Sequence, residues 1–160
     1  GMNPPGDIKG IISINPLIRF KMELPRHKLI LGNLLRAVLP SFTFSNGIKI
    51  RHLSKDQAVV DAYRKDKLVH DRISVRLFFQ MLKQIEALKS SIKNFKMPLL
   101  LLLSADDRII DSGASKEFFD KIESKDKKLI MLEGFYHEPL NEIGKERVFE
   151  EIESWVEQHL

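Results

Sequence analysis

The sequence contains no cysteine, one tryptophan and two tyrosines among its 160 residues. The absence of cysteine excludes disulfides, thiolate nucleophiles and cysteine-ligated zinc sites, and it is typical of a reducing compartment. No apolar run approaches the roughly 18 residues that a membrane-spanning helix needs, and the first residues show no apolar signal core. We therefore expect a cytoplasmic protein without stable membrane insertion.

Acidic residues are scarce in the first part of the chain. Residues 1–96 contain 18 Lys and Arg against 7 Asp and Glu, whereas residues 97–160 contain 8 against 15, so net charges of +11 and −7 make up the overall +4. Because the basic residues are scattered, with no run of five, a solvated surface is the favoured interpretation. Attraction to an anionic membrane surface is the alternative, and nucleic acid is not an expected partner.

The apolar pattern predicts a chain that alternates between strands and helices, with a helical stretch inserted after the first strand. From residue 97 onwards strand and helix alternate regularly, which favours right-handed βαβ units and a parallel sheet. In the last helix we expect one apolar stripe formed by Val148, Phe149, Ile152, Trp155 and Val156. The predicted strands cover residues 8–14, 97–103 and 128–132, the predicted helices cover 26–39, 54–63, 73–90, 113–123 and 144–159, and residues 41–53 are predicted to be extended or loop.

Two residues that follow predicted strands are candidates for a catalytic site. Asp107 comes after the strand at 97–103, and His137 comes after the strand at 128–132. A carboxylate and an imidazole on successive strand-to-helix loops form the acid and base of nucleophilic triads in one large class of α/β enzymes. Other interpretations stay open, because Asp107, Asp106 or Asp111 could cap a helix and His137 could be an ordinary loop residue. We predict no metal or cofactor, since the remaining histidines lack metal-ligand spacing: His27, His52, His70 and His159.

Three segments together carry a resemblance to a known family. They are LLLLLSADDRIID at residues 99–111, GFYHE at residues 134–138, and the stretch from LSKD at 53–56 to AYRKDKLVH at 62–70. In these segments the chain resembles the C-terminal part of the monoacylglycerol lipase/lysophospholipase family of serine α/β-hydrolases. The resemblance implies an α/β fold, namely the C-terminal half of an α/β-hydrolase with a three-stranded parallel sheet and a helical cap insertion.

The same resemblance implies how the chain is divided and what its residues do. It predicts one partial domain over residues 1–160, with the first strand at 8–16, a cap segment at 17–96, and a β-α-β-α unit at 97–160. Asp107 matches the catalytic acid of the family and His137 matches the catalytic histidine.

The nucleophile of the family has no counterpart in this sequence. The family carries its serine in a Gly-x-Ser-x-Gly turn upstream of the acid, and this sequence contains no such motif. Ser112-Gly113-Ala114-Ser115 lacks the flanking glycines, and we predict that it begins a helix. By the resemblance, the chain starts at the family's sixth strand. We therefore expect hydrolysis of carboxylic esters at the level of the family, but negligible activity of this chain alone.

Three interpretations of such a chain stay open. It could be a fragment of a longer lipase, one half of a split hydrolase, or a non-catalytic module for dimeric assembly or lipid binding. The strand at 8–14 would lack the neighbour it has in the family, and an open apolar strand edge invites pairing with another chain. We therefore expect a homodimer formed through this first strand, and a lipid or an ester as the ligand.

Overall fold

The computed structural model describes residues 8–160, which form five strands and five helices. Short 3-10 helices cover Ile50–His52, Ile92–Asn94 and Pro139–Asn141. The strands are β1 Ile11–Ile14, β2 Thr43–Ser45, β3 Arg72–Ser74, β4 Leu99–Ser104 and β5 Lys127–Leu132. The helices are α1 Arg26–Val38, α2 Gln57–Lys65, α3 Val75–Ser91, α4 Ser112–Asp120 and α5 Glu146–Glu157.

The main sheet has three parallel strands in the order β1-β4-β5. Ile11 lies opposite Leu99 in the first pair of strands, and Leu99 lies opposite Lys127 in the second. α1, α2 and α3 lie between β1 and β4 in the chain, whereas α4 alone connects β4 to β5. The predicted α/β class and three-stranded parallel sheet are confirmed.

β4 forms the centre of the core because it is apolar on both faces. All six of its residues are buried, as expected of a parallel strand covered on both sides. Since successive side chains point to opposite faces, β4 divides its leucines between two apolar clusters. One cluster joins Leu100 and Leu102 to Ile130, Leu132, Phe135, Val148 and Trp155. The other cluster joins Leu99, Leu101 and Leu103 to Phe119 and Ile122.

The first strand is shorter than the sequence pattern predicts. β1 begins at Ile11, whose N–H donates to the carbonyl of Pro98 at 2.9 Å, so the expected start at Ile8 is wrong. Just before it, Gly10 lies so close to the Trp155 ring that a Cβ atom there would overlap the ring, and it would also lie 3.2 Å from Pro98. The chain can enter the sheet beside α5 because this residue has no side chain.

The stretch at 41–53 is extended in part, as expected, whereas one expectation about α5 is wrong. Part of the stretch at 41–53 is a strand, β2, which pairs antiparallel with β3, a strand that the pattern did not reveal. Three residues per strand are too few to show alternation, and the Arg72 side chain holds the pair together by donating to the Thr43 carbonyl and hydroxyl. In α5, Phe149 is 49% exposed whereas Val148 is fully buried, because neighbouring helical residues point about 100° apart.

α1 contrasts with the other helices because none of its residues is buried. Its apolar residues Ile30, Leu34 and Val38 are 65%, 64% and 77% exposed. The helix packs against α3, where the Phe79 ring lies beside Gly32. No helix within residues 8–160 is both long enough and apolar enough to cross a membrane.

Candidate active site

Asp107 lies at the carboxyl end of β4, where the chain turns before α4. Its side chain is fully buried, and its Oδ1 accepts hydrogen bonds from the backbone N–H groups of Ile109 at 2.7 Å and Ile110 at 3.0 Å. The cap of α4 is a different residue, Asp111, which accepts from the Ala114 N–H at 3.0 Å. Of the three aspartates that could cap this helix, Asp111 does so and Asp107 is left for another role.

His137 lies in the loop after β5, at the same edge of the sheet. Its Nδ1 is 2.8 Å from Oδ2 of Asp107, so the two residues singled out in the sequence are in direct contact. In the tautomer that carries its proton on Nδ1, the imidazole donates to the carboxylate, and Nε2 remains as an acceptor. The His137 side chain is 25% exposed, and no side chain of residues 8–160 hydrogen-bonds to its Nε2. In this arrangement Nε2 is available to accept a proton from a further group.

The surroundings of Asp107 favour its charged form. Burial by itself raises the pKa of this carboxyl, but the hydrogen bonds from His137, Ile110 and Ile109 outweigh burial and hold the pKa below its ordinary value. A carboxylate that stays ionised can orient the imidazole and stabilise the imidazolium when it forms.

The backbone around His137 is held by residues that sequence reasoning did not single out. Asn15, directly after β1, donates from Nδ2 to the His137 carbonyl at 2.7 Å and to the Ser104 hydroxyl at 2.9 Å, while its Oδ1 accepts from the Ser104 N–H. Asn15 has a φ of 44°, a left-handed conformation that asparagine adopts more readily than most residues. An asparagine directly after an apolar strand is the signal that could identify it.

Tyr136, the residue before His137, connects two loops through its aromatic ring. They are the acid loop, which carries Asp107 after β4, and the histidine loop, which carries His137 after β5. The Arg108 guanidinium lies 4.1 Å from the centroid of the Tyr136 ring, and Lys55 Nζ lies 5.0 Å from the same centroid. Cations at these distances are attracted by the face of the ring. The neighbours in sequence of Asp107 and His137 thus reinforce their contact.

The other residues considered in the sequence have structural surroundings of their own. Ser112 begins α4 as predicted, and its hydroxyl donates to the Ser104 carbonyl at 2.6 Å. Within residues 8–160, no serine hydroxyl hydrogen-bonds to His137 and no group of three His, Cys, Asp or Glu side chains could hold a metal ion. The Phe78 ring packs against Phe20, Phe44 and Phe79.

The remaining histidines lie apart from the Asp107–His137 pair. His159 stacks on Trp155 and contacts Asp126 at 3.0 Å, whereas His70 accepts from the N–H of Arg72. Burial, followed by the nearby charges of Arg108, Arg51 and Lys49, lowers the pKa of His52.

Comparison with known proteins matches this geometry to one family. The family described as serine aminopeptidase, S33 (Hydrolase_4) matches residues 1–144. The human monoglyceride lipase is 30% identical over 159 residues, and the phospholipase YtpA of Bacillus subtilis is 28% identical over 154 residues. The crystal structure of a monoacylglycerol lipase from Paleococcus ferrophilus superimposes with a TM-score of 0.90 at 29% identity.

The matches cover nearly all of this chain but only part of each relative. The alignment with the human lipase covers 96% of this chain and 52% of that protein, the alignment with the Bacillus phospholipase covers 96% and 60%, and the Paleococcus structure is matched over 98% and 61%. The chain thus spans little more than half the length of these relatives. It belongs to the serine aminopeptidase S33 family, Hydrolase_4, and has part of the α/β-hydrolase fold of the monoglyceride lipases.

Proposed function

We propose that Asp107 and His137 are the acid and the general base of a serine hydrolase that cleaves carboxylic esters of the monoacylglycerol and lysophospholipid type. The observation that carries this proposal is the 2.8 Å contact between Nδ1 of His137 and the buried carboxylate of Asp107. The proposed roles agree with the names of the relatives, which are lipases and a phospholipase.

In the proposed reaction His137 moves one proton in each half of the cycle. Nε2 takes the proton of a serine hydroxyl as the serine oxygen attacks the ester carbonyl, and the imidazolium then gives that proton to the departing alcohol. A water molecule attacks the resulting acyl-serine in the same way, which releases the fatty acid and restores the serine. Asp107 keeps its charge throughout and holds the ring in the orientation that presents Nε2.

The nucleophilic serine and the donors for the oxyanion are supplied, in this proposal, from outside the printed sequence. By analogy with other serine hydrolases, a missing oxyanion donor alone costs about 3–4 kcal/mol, so a free hydroxide or water would react poorly beside His137. We therefore expect the isolated chain to turn over a short-chain aryl ester no faster than a His137→Ala variant does. The matched control is His70→Ala, which removes a histidine outside the pair. Turnover by the chain that His137→Ala abolishes and His70→Ala preserves would contradict the expected inactivity.

Complementation tests whether the pair works when a serine is supplied. The serine-bearing N-terminal part of a relative, such as the Bacillus phospholipase, would be mixed with this chain and treated with a fluorophosphonate probe. We expect labelling of the serine-bearing part to rise when wild-type chain is added, and not when Asp107→Asn or His137→Ala is added. Equal labelling with all three chains would argue against a catalytic role for the pair.

As a second candidate function, we propose that the chain assembles as a homodimer through β1. Within residues 8–160, β1 pairs only with β4, and its other edge lacks a strand. The N–H groups of Ile11 and Asn15 donate to β4, so by alternation those of Ile12 and Ile14 point towards the open edge. Two copies that pair these edges would form one six-stranded sheet with two-fold symmetry.

Light scattering distinguishes this assembly from a monomer. Ile12→Pro removes an N–H at the open edge of β1, so it is expected to convert the dimer to a monomer. The monomer should still fold, because proline is tolerated where the N–H does not face the neighbouring strand β4. Ser13→Pro is the matched control, because it removes a bond to β4 and is expected to destabilise the fold instead. A wild-type chain that is monomeric at all concentrations would exclude the homodimer.

A further inference from the structure

A second buried carboxylate, Glu142, lies five residues after His137. Its side chain is 3% exposed, and none of the ion pairs formed by residues 8–160 includes it. Burying an unpaired charge is unfavourable unless hydrogen bonds replace the lost water. The carboxylate must therefore be held by several donors.

Four groups donate to the two oxygens of Glu142. Oε1 accepts from the Ser54 hydroxyl at 3.0 Å, the Lys55 N–H at 3.0 Å and the Ile143 N–H at 3.1 Å. Oε2 accepts from the Lys55 N–H at 3.0 Å and the Tyr136 N–H at 3.2 Å. Tyr136 is the residue before His137, whereas Ser54 and Lys55 are more than 80 positions away, at the turn into α2. One carboxylate thus joins the histidine loop to the segment between β1 and β4.

The contact with Tyr136 is one of three hydrogen bonds that hold the backbone of three consecutive residues. The Tyr136 N–H donates to Glu142, the His137 carbonyl accepts from Asn15, and the Glu138 N–H donates to the Leu53 carbonyl at 2.9 Å. These partners come from three separate parts of the chain. The backbone that carries the imidazole is therefore fixed on both sides of His137.

A neutral side chain of the same size could not take the place of Glu142. All of its partners are donors, and a glutamine would turn an NH₂ group towards at least one N–H, leaving both unsatisfied. The position requires a group that only accepts hydrogen bonds at both of its oxygens. Among the protein side chains of this length, only an ionised glutamate meets that requirement.

We propose that Glu142 is a positioning residue for His137, and that it acts by coupling Tyr136 to Ser54 and Lys55. The inference rests on the proposed function, because it assumes that His137 is the base whose orientation matters. Groups that perform catalysis have to be held to within about 0.5 Å of their working position. Glu142 is not itself a catalytic residue, since its side chain contacts backbone groups and one hydroxyl rather than the imidazole.

The tautomer of the His137 ring reports whether Nδ1 faces the Asp107 carboxylate, because that contact favours the proton on Nδ1. In full-length chain labelled with ¹⁵N-histidine, the shifts of the two ring nitrogens report which nitrogen carries the proton when the ring is neutral. We expect the wild type to hold the proton on Nδ1 because of Asp107, and Asp107→Asn to lose that preference. Wild-type chain with the proton on Nε2 would overturn the proposed geometry of the base, and the role of Glu142 with it.

The variant that tests the inference is Glu142→Gln. We expect a shift of His137 towards the Nε2–H tautomer while the far-ultraviolet circular dichroism stays that of the wild type. Glu133→Gln is the matched control, since Glu133 is an exposed glutamate in the same loop, and it should leave the ring shifts unchanged. A Glu142→Gln variant that unfolds at lower temperature but keeps the wild-type tautomer would show a merely structural role and overturn the inference.

A milder variant covers the case in which Glu142→Gln fails to fold. Ser54→Ala removes one donor to Oε1 and leaves the backbone donors in place. We expect a smaller shift of the tautomer in the same direction. Unchanged ring shifts in a folded Ser54→Ala chain would overturn the coupling to the segment between β1 and β4.

Discussion

β4, in the sheet region of residues 8–16 and 97–160, and α1, in the segment of residues 17–96 that the resemblance assigns to a cap, use their apolar residues differently. All six residues of β4 are buried in the sheet region, whereas no residue of α1 is buried in the cap segment. Leu102 is fully buried and Leu34 is 64% exposed, although both are leucines in regular structure. Leucine thus supports the core in β4 and faces outwards in α1.

The difference shows why the candidate site is built on one region and secured by the other. Asp107 follows the fully buried strand β4 and His137 follows β5, its neighbour in the sheet, where packing limits local motion. The cap segment reaches the site through polar contacts at both loops. Leu53, Ser54 and Lys55 contact the loop of His137. Lys21 donates from Nζ to the Asp107 carbonyl and from its backbone N–H to the Ile109 carbonyl. The sheet region therefore sets where Asp107 and His137 lie, and the segment just before α2 restrains the loop that carries His137.

The largest expected effect separates the buried strand β4 from the exposed helix α1. Leu102→Ala should lower the free energy of unfolding by about 2–5 kcal/mol, because it leaves a cavity in the central strand. Leu34→Ala in α1 should change it by less than about 0.5 kcal/mol, because that side chain is exposed. Urea unfolding followed by circular dichroism measures both variants. Similar losses for the two would contradict the contrast between the regions.

The next effect concerns the buried carboxylate of Asp107, whose contribution to the free energy of unfolding depends on pH. Asp107→Asn should lower the free energy of unfolding by about 1.5–3 kcal/mol near neutral pH, since hydrogen bonds to a charged group are lost. Because the pKa of Asp107 is lowered in the folded chain, its stabilisation is complete above the ordinary aspartate pKa of about 3.9. It is lost as the pH falls through the folded pKa, so the two unfolding curves should converge in acid.

A smaller effect is expected where β1 enters the sheet. Gly10→Ala should lower the free energy of unfolding by about 1–3 kcal/mol, because the added methyl group overlaps the ring of Trp155 in a packed core. Gly47, in the cap segment, is not a matched site because its φ is positive. The suitable control is Gly32→Ala in α1. An added Cβ there would lie 3.0 Å from the nearest atom of the Phe79 ring, and α1 has no buried residues. Thermal unfolding should fall further for Gly10→Ala.

The smallest effect distinguishes Asp106 and Asp111, the two more exposed aspartates on either side of Asp107. Asp111→Ala should cost about 1 kcal/mol, because it removes the N-cap of α4. Asp106→Ala should cost little, since Asp106 is exposed and caps no helix. Urea unfolding of both variants checks this order, and an equal loss would show that the cap contributes nothing.

Much of the fold could be predicted because the pattern of apolar residues is strong where strands are fully buried. The helices and the three main strands begin and end within three residues of the predicted positions. β3 was missed, and β2 was expected only as extended or loop, because such short strands carry no periodic signal. Phe149 was misplaced because it lies one residue beyond the buried side of α5. Asn15 was passed over because its role depends on a carbonyl more than 120 positions away.

By itself the sequence determined the α/β class, the central apolar strand and the two residues that follow the strands, Asp107 and His137. These follow from local patterns, since burial on both faces requires a continuous apolar run and parallel strands present their carboxyl ends at one edge. Only the tertiary structure decided that the carboxylate and the imidazole are 2.8 Å apart, that Asp111 rather than Asp107 caps α4, and that Asn15 and Glu142 hold the histidine loop. Such contacts join residues far apart in the chain, and their distances are set by how the strands and helices pack.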